Sequence, residues 1–495
     1  MNRAAGLLLA RGWMNLCAIA SFFIVGRYLS PAEFGVYALA SSAILLPMGV
    51  LGAGFSEHVI SRDPDHKDEA TAFWSTAAIG LAFAALAASV SLVLRHAFGL
   101  DDIAHILLWL APLPALWGVS VIFEAMLIRD DRAGLMAAVT VTGETLGLIS
   151  LVVSAMNGLG VFSLVVSRLV NNCVMLAGYG FSKAAPKLSA FREEAALRVG
   201  KFSIGVVGAR AMNWLDAYGV ELLLGLLLPA ASIGHYRMAG RLNAALGSVL
   251  VFAPWQAQLA YLSERLRVGR LGAGMVRAIT LHIALITPLF AGLAILSSDV
   301  IALFLGATWA PTAGILSIMA LASIVQVIWG VLTAAFVAAG ESRRMFGFQA
   351  GMVAVTSAAL ALGAAFSVEA AALAKFTFTA ILIFAGLYLV RALSPALRKR
   401  LLGFAARMGL VIAAMSFAMI LALQLIPPVN DAFTTFARIV LGGIVGLIVY
   451  LIALSVIAPD AARILHTLLR KRYPHLVGAR MRRFARLPSL EFRGR

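Results

Sequence analysis

"ARGWMNLCAIASFFIVGRYLSPAEFGVYALA", residues 10–40, returns in altered form as "ARAMNWLDAYGVELLLGLLLPAASIGHYRMA" at residues 209–239. When both copies are continued for another eleven residues, the alignment still needs no gap, and twelve of 42 positions are identical. Matches among leucine and alanine could follow from composition, but Arg11 aligns with Arg210, and the Gly-x-Tyr-x-x-Ala pattern that begins at Gly35 recurs at the same offset. The chain therefore contains an internal repeat with an offset of 199 residues.

Composition identifies the class of protein. The 495 residues are 61% hydrophobic and only 13% charged, with a mean hydropathy of +0.94. A soluble domain is roughly half apolar and about a quarter charged. Crossing the hydrocarbon core of a bilayer takes roughly 20 apolar residues. Because apolar runs of that length fill the chain, we predict an all-α polytopic membrane protein.

Fourteen apolar stretches of spanning length follow one another. They are 6–28, 34–60, 73–95, 103–128, 134–156, 161–182, 202–227, 234–260, 275–297, 312–340, 346–367, 370–391, 404–426 and 433–457. Between the ninth and the tenth, "SSDVIALFLGATWAP" (297–311) is apolar but carries Asp299, Gly306 and Pro311. This composition predicts a short exterior helix and loop at 297–311.

The distribution of lysine and arginine supports the number of helices and predicts their orientation in the membrane. With fourteen helices and both termini in the cytosol, basic residues should crowd the termini and the even-numbered gaps. They do so, from Arg129 and Arg132 after the fourth stretch to Arg343 and Arg344 after the tenth, whereas the opposite gaps hold few, Arg95 being the clearest exception. We therefore predict a multi-pass protein with both termini cytoplasmic.

The repeat and the span count together predict the domain organisation. The N-terminal lobe is 1–182 (helices 1–6), 183–201 is a cytosolic linker, 202–391 is the C-terminal lobe (helices 7–12), 404–457 holds helices 13 and 14, and 458–495 is a basic cytosolic tail. Since six is even, the two lobes run parallel and are related by an axis along the membrane normal, with a central cavity expected between them.

Helix 7 carries three charged residues inside an apolar stretch: Arg210, Asp216 and Glu221. An ionised side chain at the membrane centre costs about 2.5–3.5 kcal/mol, so such residues should face protein or water. Arg210 and Glu221 are eleven residues apart, which in a continuous α-helix brings them to nearly the same face. They either line the cavity or pair with charges of opposite sign that hold the lobe together.

Helix 8 offers the strongest anion-binding pattern. Arg237 and Arg241 are four residues apart and form one basic stripe, and guanidinium groups match phosphate or carboxylate oxygens in a bidentate geometry. We expect Arg210, Arg237, Arg241 and Arg11 to line a substrate-binding cavity. The alternative is that these arginines form structural ion pairs with nearby acids. The candidate acids, as cavity residues or as structural partners, are Asp216, Glu221 and Glu144.

Further charged or polar residues inside the spans are weaker candidates for a site. They are Glu57, Glu124, Arg168 with Asn171 and Asn172, Lys375 and Arg438. Cys17 and Cys173 both fall inside spans, so no disulfide is implied. Tyr37 and Tyr236 are expected to act as interfacial anchors.

The net charge of +17 does not require nucleic-acid binding. Ten of the forty basic residues lie in the tail after Pro459, which includes "RKRYPHLVGARMRRFAR". A basic tail next to a final membrane helix is typical of contact with anionic lipid headgroups. We expect membrane lipids as its partner and no nucleic acid.

Three stretches resemble a known family. "LSPAEFGVYALASSAILLPMGVLGAGFSEHVISRD" (29–63), "SIGHYRMAGRLNAAL" (232–246) and "LFLGATWAPTAGILSIMALASI" (303–324) are similar to polysaccharide-transport members of the multidrug/oligosaccharidyl-lipid/polysaccharide exporter superfamily. The resemblance covers roughly 10–400. It implies a Wzx-type flippase of the bacterial inner membrane that moves polyprenyl-pyrophosphate-linked oligosaccharides. The expected partners are a polysaccharide polymerase and glycosyltransferases, and no cofactor is expected.

Alternatives remain within and outside that superfamily. A lipid II-type flippase is compatible with fourteen helices. A drug/cation antiporter of the superfamily typically uses an acid in the opening helix, where this chain has Arg11 and no Asp or Glu. A membrane-embedded glycan polymerase or ligase would need a sizeable exterior loop or clustered exterior acids. The sequence contains no Walker, Cys-x-x-Cys or His-Glu-x-x-His motif, so we predict a transporter without a metal and not an enzyme.

Overall fold

A computed structural model of the chain describes residues 3–61, 66–182, 191–250, 255–390, 393–427 and 431–472. Throughout these residues the regular secondary structure is helical. The α-helices are α1 (Arg3–Tyr28), α2 (Pro31–Met48), α3 (Phe55–Ser61), α4 (His66–Phe98), α5 (Asp101–Leu110), α6 (Leu113–Arg129), α7 (Ala133–Met156), α8 (Phe162–Ser182), α9 (Glu193–Trp214), α10 (Val220–Gly225), α11 (Ala230–Leu250), α12 (Trp255–Arg267), α13 (Leu271–Phe304), α14 (Thr312–Ala338), α15 (Ser342–Ala364), α16 (Val368–Leu389), α17 (Pro395–Gln424), α18 (Ala432–Ile457) and α19 (Pro459–Arg472).

The prediction of an all-α polytopic membrane protein is confirmed. Within the described ranges, eleven helices are long and apolar enough to cross a membrane. Three predicted spans, 6–28, 202–227 and 234–260, are helical where the structure describes them but do not belong to those eleven. The total of fourteen therefore stays a prediction.

Three predicted spans are interrupted within the described residues. In 103–128, a turn at Ala111 and Pro112 separates α5 from α6. In 34–60, α2 ends at Met48 and α3 begins at Phe55, with a turn between them in which Gly52 and Gly54 have φ of +80° and +83°. This left-handed conformation favours glycine. In 202–227, a π-helix at Leu215–Gly219 separates α9 from α10. Arg210 and Glu221 therefore do not share the face that a continuous α-helix would give them.

The prediction for 297–311 is wrong in one respect. No separate exterior helix forms there, because α13 runs on as far as Phe304. Asp299 does not end the helix, since its carboxylate pairs with Arg438 of α18, with Nε 2.9 Å from Oδ1. The break comes at Gly306, with φ of +85°, and a 3₁₀ turn at Ala307–Trp309 follows.

Two compact units can be distinguished by their internal contacts. The first unit comprises Met1–Val249, Ile301–Met319 and Phe346–Thr379. The second unit comprises Leu250–Val300, Ala320–Met345 and Ala380–Arg495. The two lobes predicted from the repeat divide the chain at other residues than these two units do. They stay a prediction.

The start of α2 has a local explanation in the sequence "LSPAEFG". The Ser30 hydroxyl accepts from the backbone amide of Glu33, and the Glu33 carboxylate accepts from the backbone amide of Ser30 at 2.8 Å. This capping box, with Pro31 in the first turn, fixes where the helix begins. Phe34 and Tyr37 follow one turn later and are buried, with exposed fractions of 0% and 2%. Tyr37 therefore does not serve as the interfacial anchor that the sequence predicted.

Candidate functional site

A polar cavity of about 350 Å³ lies within the first unit, among α1, α2, α7, α8 and α11. Its walls combine apolar side chains with a set of charged and hydrogen-bonding groups. The polar lining residues are Asn15, Ser21, Tyr37, Glu144, Ser167, Arg168, Asn171 and Arg241. Amides and hydroxyls of this kind can donate to and accept from a hydroxylated ligand.

Arg168 of α8 and Arg241 of α11 give the cavity its positive charge. Neither guanidinium lies within 4 Å of a carboxylate of the described residues. Arg241 lies over the ring of Phe34, with Cζ 5.3 Å from the ring centroid, which is a cation–π contact that leaves its N–H groups available. Glu144 is the one acid in the described lining. The cavity can therefore bind an anionic group.

Close helix packing brings the α8 side chains to this cavity. Ser167 donates to the carbonyl of Gly147 on α7 at 2.7 Å. A Cβ on Gly147 would lie 3.2 Å from Cβ of Asn171, so the missing side chain allows α7 and α8 to approach. Ser167, Arg168 and Asn171 follow the i, i+1, i+4 spacing of one helix face. That spacing is the sequence signal for this wall of the site.

Arg237 is not among the residues that line the cavity. It is 5% exposed, and its Nη1 donates to the Ala38 carbonyl at 2.6 Å and to Ser41 Oγ at 2.8 Å. The same nitrogen lies 2.8 Å from Oε2 of Glu221. Glu221 is 7% exposed and also accepts from the Ser42 hydroxyl. Arg237 therefore joins α2, α10 and α11, as the structural alternative for this arginine describes.

Arg210 likewise pairs with an acid outside the cavity lining. Its Nη2 donates to Oε1 of Glu57. The other oxygen of Glu57 accepts from the Gly54 amide at 2.6 Å and from Ser56 Oγ at 3.0 Å. The side chains of Arg210 and Glu57 are 44% and 30% exposed. This pair links α9 to the first turn of α3.

Asp216 pairs with Lys375 of α16. Lys375 Nζ lies 2.8 Å from Oδ1 of Asp216 and 3.3 Å from the carbonyl oxygen of Asp216, which belongs to the π-helix. Of the four predicted cavity arginines, Arg241 lies at the described cavity, Arg210 and Arg237 lie elsewhere, and the side chain of Arg11 falls outside what the structure describes. Of the three predicted acids, Glu144 lines the cavity, whereas Asp216 and Glu221 act as pairing partners.

Comparison with known proteins relates this chain to polysaccharide transport. The family described as "Polysaccharide biosynthesis protein" matches residues 24–314. The succinoglycan biosynthesis transport protein ExoT of Rhizobium meliloti (strain 1021) is 24% identical over 337 residues, which are 65% of this chain and 66% of ExoT. The chain thus spans slightly less than two thirds of the length of that relative.

Solved structures share the fold. The lipid II flippase MurJ in an inward closed conformation superposes with a TM-score of 0.72 at 16% identity, covering 92% of this chain and 99% of MurJ. An inward-facing multidrug resistance MATE family transporter of the MOP superfamily gives a TM-score of 0.61 at 13% identity, covering 79% of this chain and 96% of the transporter. At these identities the likeness establishes the fold alone.

Proposed function

Because the chain belongs to the polysaccharide biosynthesis protein family, a polysaccharide-transport family of the multidrug/oligosaccharidyl-lipid/polysaccharide exporter superfamily, we propose that it is a flippase for lipid-linked oligosaccharides. It moves polyprenyl-pyrophosphate-linked units across the bacterial inner membrane for surface polysaccharide synthesis. The two repeats form lobes that rock about a central cavity and expose it alternately to the cytosol and to the outside. Glycosyltransferases supply the substrate, and a polymerase consumes it.

One observation carries the proposal: the polar cavity contains two arginines without a carboxylate within 4 Å in the described part of the chain. Buried cations are normally paired with an opposite charge, so guanidinium groups that lack a carboxylate partner among the described residues favour an anion that arrives from outside. A pyrophosphate offers oxygens to both Arg168 and Arg241. Asn15, Ser167 and Asn171 add groups that can bind sugar hydroxyls.

The experiment replaces Arg168 and Arg241 by Gln, singly and together, and measures surface polysaccharide and the amount of protein in the membrane. Each charge-assisted hydrogen bond contributes about 1.5–3 kcal/mol, so each loss should reduce export about tenfold or more while the protein remains inserted. Lysine at either position should restore export only in part, because it keeps the charge but loses the bidentate geometry.

The matched control is Arg95→Gln, which removes an arginine from an exposed pair with Asp101 at the end of α4. It should export normally. Normal export by the Arg168→Gln/Arg241→Gln variant at normal protein levels would remove this cavity from the mechanism and with it the main support for the proposal.

The alternatives predict other substrates. A drug/cation antiporter should carry an organic cation, which two arginines against the single Glu144 disfavour. Vesicles that contain the purified protein can be loaded with a polyprenyl-pyrophosphate oligosaccharide, with lipid II or with ethidium. Transport of ethidium, or of lipid II alone, would overturn the proposed substrate, and formation of a longer glycan would overturn the assignment as a transporter.

A further inference from the structure

Helix α19 follows directly after a helix that is long and apolar enough to cross a membrane. The membrane helix α18 ends at Ile457, and α19 begins at Pro459, with only Ala458 between them. Ala458 has φ of −127° and ψ of 59°, which takes the chain out of the α18 helix, and proline in the first turn starts the next helix without losing a hydrogen bond. With 14 residues, α19 is about 21 Å long. This length is too short to cross the bilayer again.

The sequence of α19 is amphipathic. Apolar residues recur at Ala461, Ile464, Leu465 and Leu468, the i, i+3, i+4, i+7 spacing of one helix face. Arg463, His466 and Arg470 share the opposite face by the same periodicity. Ala461 is buried, whereas Arg463, Ile464 and Leu465 are partly exposed. A short helix with one apolar and one basic face is typical of a segment that lies in the membrane interface.

An ion pair holds the start of α19 to the second unit. The carboxylate of Asp460 lies 3.6 Å from Nη1 of Arg407 on α17 and 3.3 Å from Nη2 of Arg463. The same end of α17 carries Arg398, Lys399 and Arg400. The basic residues of α17 and of α19 therefore belong to one membrane surface.

Charge identifies the partner of this surface. Residues 459–495 contain ten Lys and Arg against two acids. The positive-inside rule assigns such an end to the cytosolic leaflet, whose surface carries anionic lipid. The apolar stripe can enter the boundary of the acyl chains, and the neighbouring cations can reach the headgroups. A lipid surface therefore fits both features, whereas a nucleic acid would bind the cations and leave the apolar stripe without a partner.

We propose that α19 lies along the cytosolic membrane surface and binds anionic phospholipid headgroups, with its apolar stripe in the lipid interface. Its basic face and the start of α17 form the binding surface. This lipid site is separate from the polar cavity of the first unit and does not depend on the transported substrate.

The test uses the full-length protein in nanodiscs of phosphatidylcholine, with or without phosphatidylglycerol. A fluorophore is attached to Thr467→Cys, an exposed position of α19, after Cys173, the exposed native thiol, has been replaced by Ser. Quenching by a headgroup-attached quencher reports proximity to the membrane surface. Phosphatidylglycerol should increase quenching several-fold, and high salt should abolish the increase because it screens charges at a surface.

Two triple variants separate the basic C-terminal turn of α19, where Lys471 and Arg472 follow Arg470 of the basic face, from total charge. Arg470→Gln/Lys471→Gln/Arg472→Gln should lose the response to phosphatidylglycerol. The control Arg265→Gln/Arg267→Gln/Arg270→Gln removes the same charge from the end of α12 and the connection to α13 and should keep it. Quenching that is independent of phosphatidylglycerol, an equal loss in both variants, or displacement of α19 by added RNA in the presence of phosphatidylglycerol would each overturn the proposal.

Discussion

Gly35 of α2 and Gly234 of α11 contact each other. The two glycines are equivalent positions in the two copies of the repeat. A Cβ built on Gly35 would lie 1.7 Å from the carbonyl oxygen of Ala230 and 3.1 Å from the amide nitrogen of Gly234. A Cβ on Gly234 would lie 2.0 Å from the carbonyl oxygen of Pro31 and 3.1 Å from the amide nitrogen of Gly35. Pro31 and Ala230 are themselves 199 residues apart. Such a reciprocal contact is what a two-fold relation between the repeats produces.

Alanine at Gly35 or Gly234 should destabilise the protein by a similar amount. In both cases the new methyl group meets a backbone carbonyl, which cannot rotate away, so α2 and α11 must separate. Overpacking of this kind costs about 1–3 kcal/mol. We expect a lower melting temperature of the purified protein for each variant.

The matched control is Gly240→Ala on the same helix α11, where a Cβ would lie 3.9 Å from the sulfur of Met319. This is an ordinary van der Waals distance, so the melting temperature should stay near that of the wild type. If Gly35→Ala and Gly234→Ala melt like Gly240→Ala, the two helices do not cross at this distance.

Arg237→Met should destabilise the protein more than Arg210→Gln does. Removal of Arg237 leaves Glu221, 7% exposed, without its countercharge, and an uncompensated buried charge costs about 3–5 kcal/mol. Glu57, the partner of Arg210, is 30% exposed and keeps its contacts with Gly54 and Ser56. An exposed pair contributes about 0–1 kcal/mol.

A second substitution distinguishes a structural role of Arg237 from substrate binding. Arg237→Met/Glu221→Leu removes both charges, so it should recover much of the melting temperature lost in the single variant. A single Arg237→Met variant that melts like the wild type and nevertheless fails to export would contradict this role and return Arg237 to the list of substrate contacts.

The sequence predicts helices and matched positions well, because both follow from local patterns. Apolar length locates the helices, and the offset of 199 residues relates Gly35 to Gly234. The same offset separates Ala38 from Arg237, whose guanidinium donates to the Ala38 carbonyl. The contact between Arg237 and Ala38 could not be predicted from the sequence. The repeat shows which residues are equivalent, but it does not show which residues are in contact.

The partners of the charged residues depend on long-range packing. The π-helix at Leu215–Gly219 changes the direction of every side chain beyond it, and no local signal in "LDAYG" predicts it. Asp216, inside this π-helix, pairs with Lys375 on α16, 159 residues away. Arg168 is a weaker candidate by sequence, because only the packing of α7 against α8 places it at the same cavity as Glu144 and Arg241.

Membrane topology can be tested by thiol labelling. A cysteine at Asn157, an exposed residue at the end of α7, or at Asn430 should react with an impermeant reagent from outside the cell, whereas one at Ser342 should not. The alternation of basic residues places the first two gaps outside and the third inside. Labelling should be done without Cys173, which is exposed. Exterior labelling at Ser342 would refute the fourteen-helix topology.

Lys375→Met should lower stability more than Asp216→Asn does. Lys375 is 18% exposed and serves two acceptors, whereas the Asp216 side chain is 46% exposed, so water can replace much of what the carboxylate loses. Asp216→Asn also keeps the backbone carbonyl that Lys375 contacts in the π-helix. A double-mutant cycle on melting temperature should therefore give a coupling of about 0.5–3 kcal/mol, smaller than the full effect of Lys375→Met.

Thr379→Val, which removes only a donor to the carbonyl of Lys375, is the control. If Asp216→Asn costs as much as Lys375→Met, the carboxylate alone accounts for the contact, and Lys375 does not support the π-helix backbone.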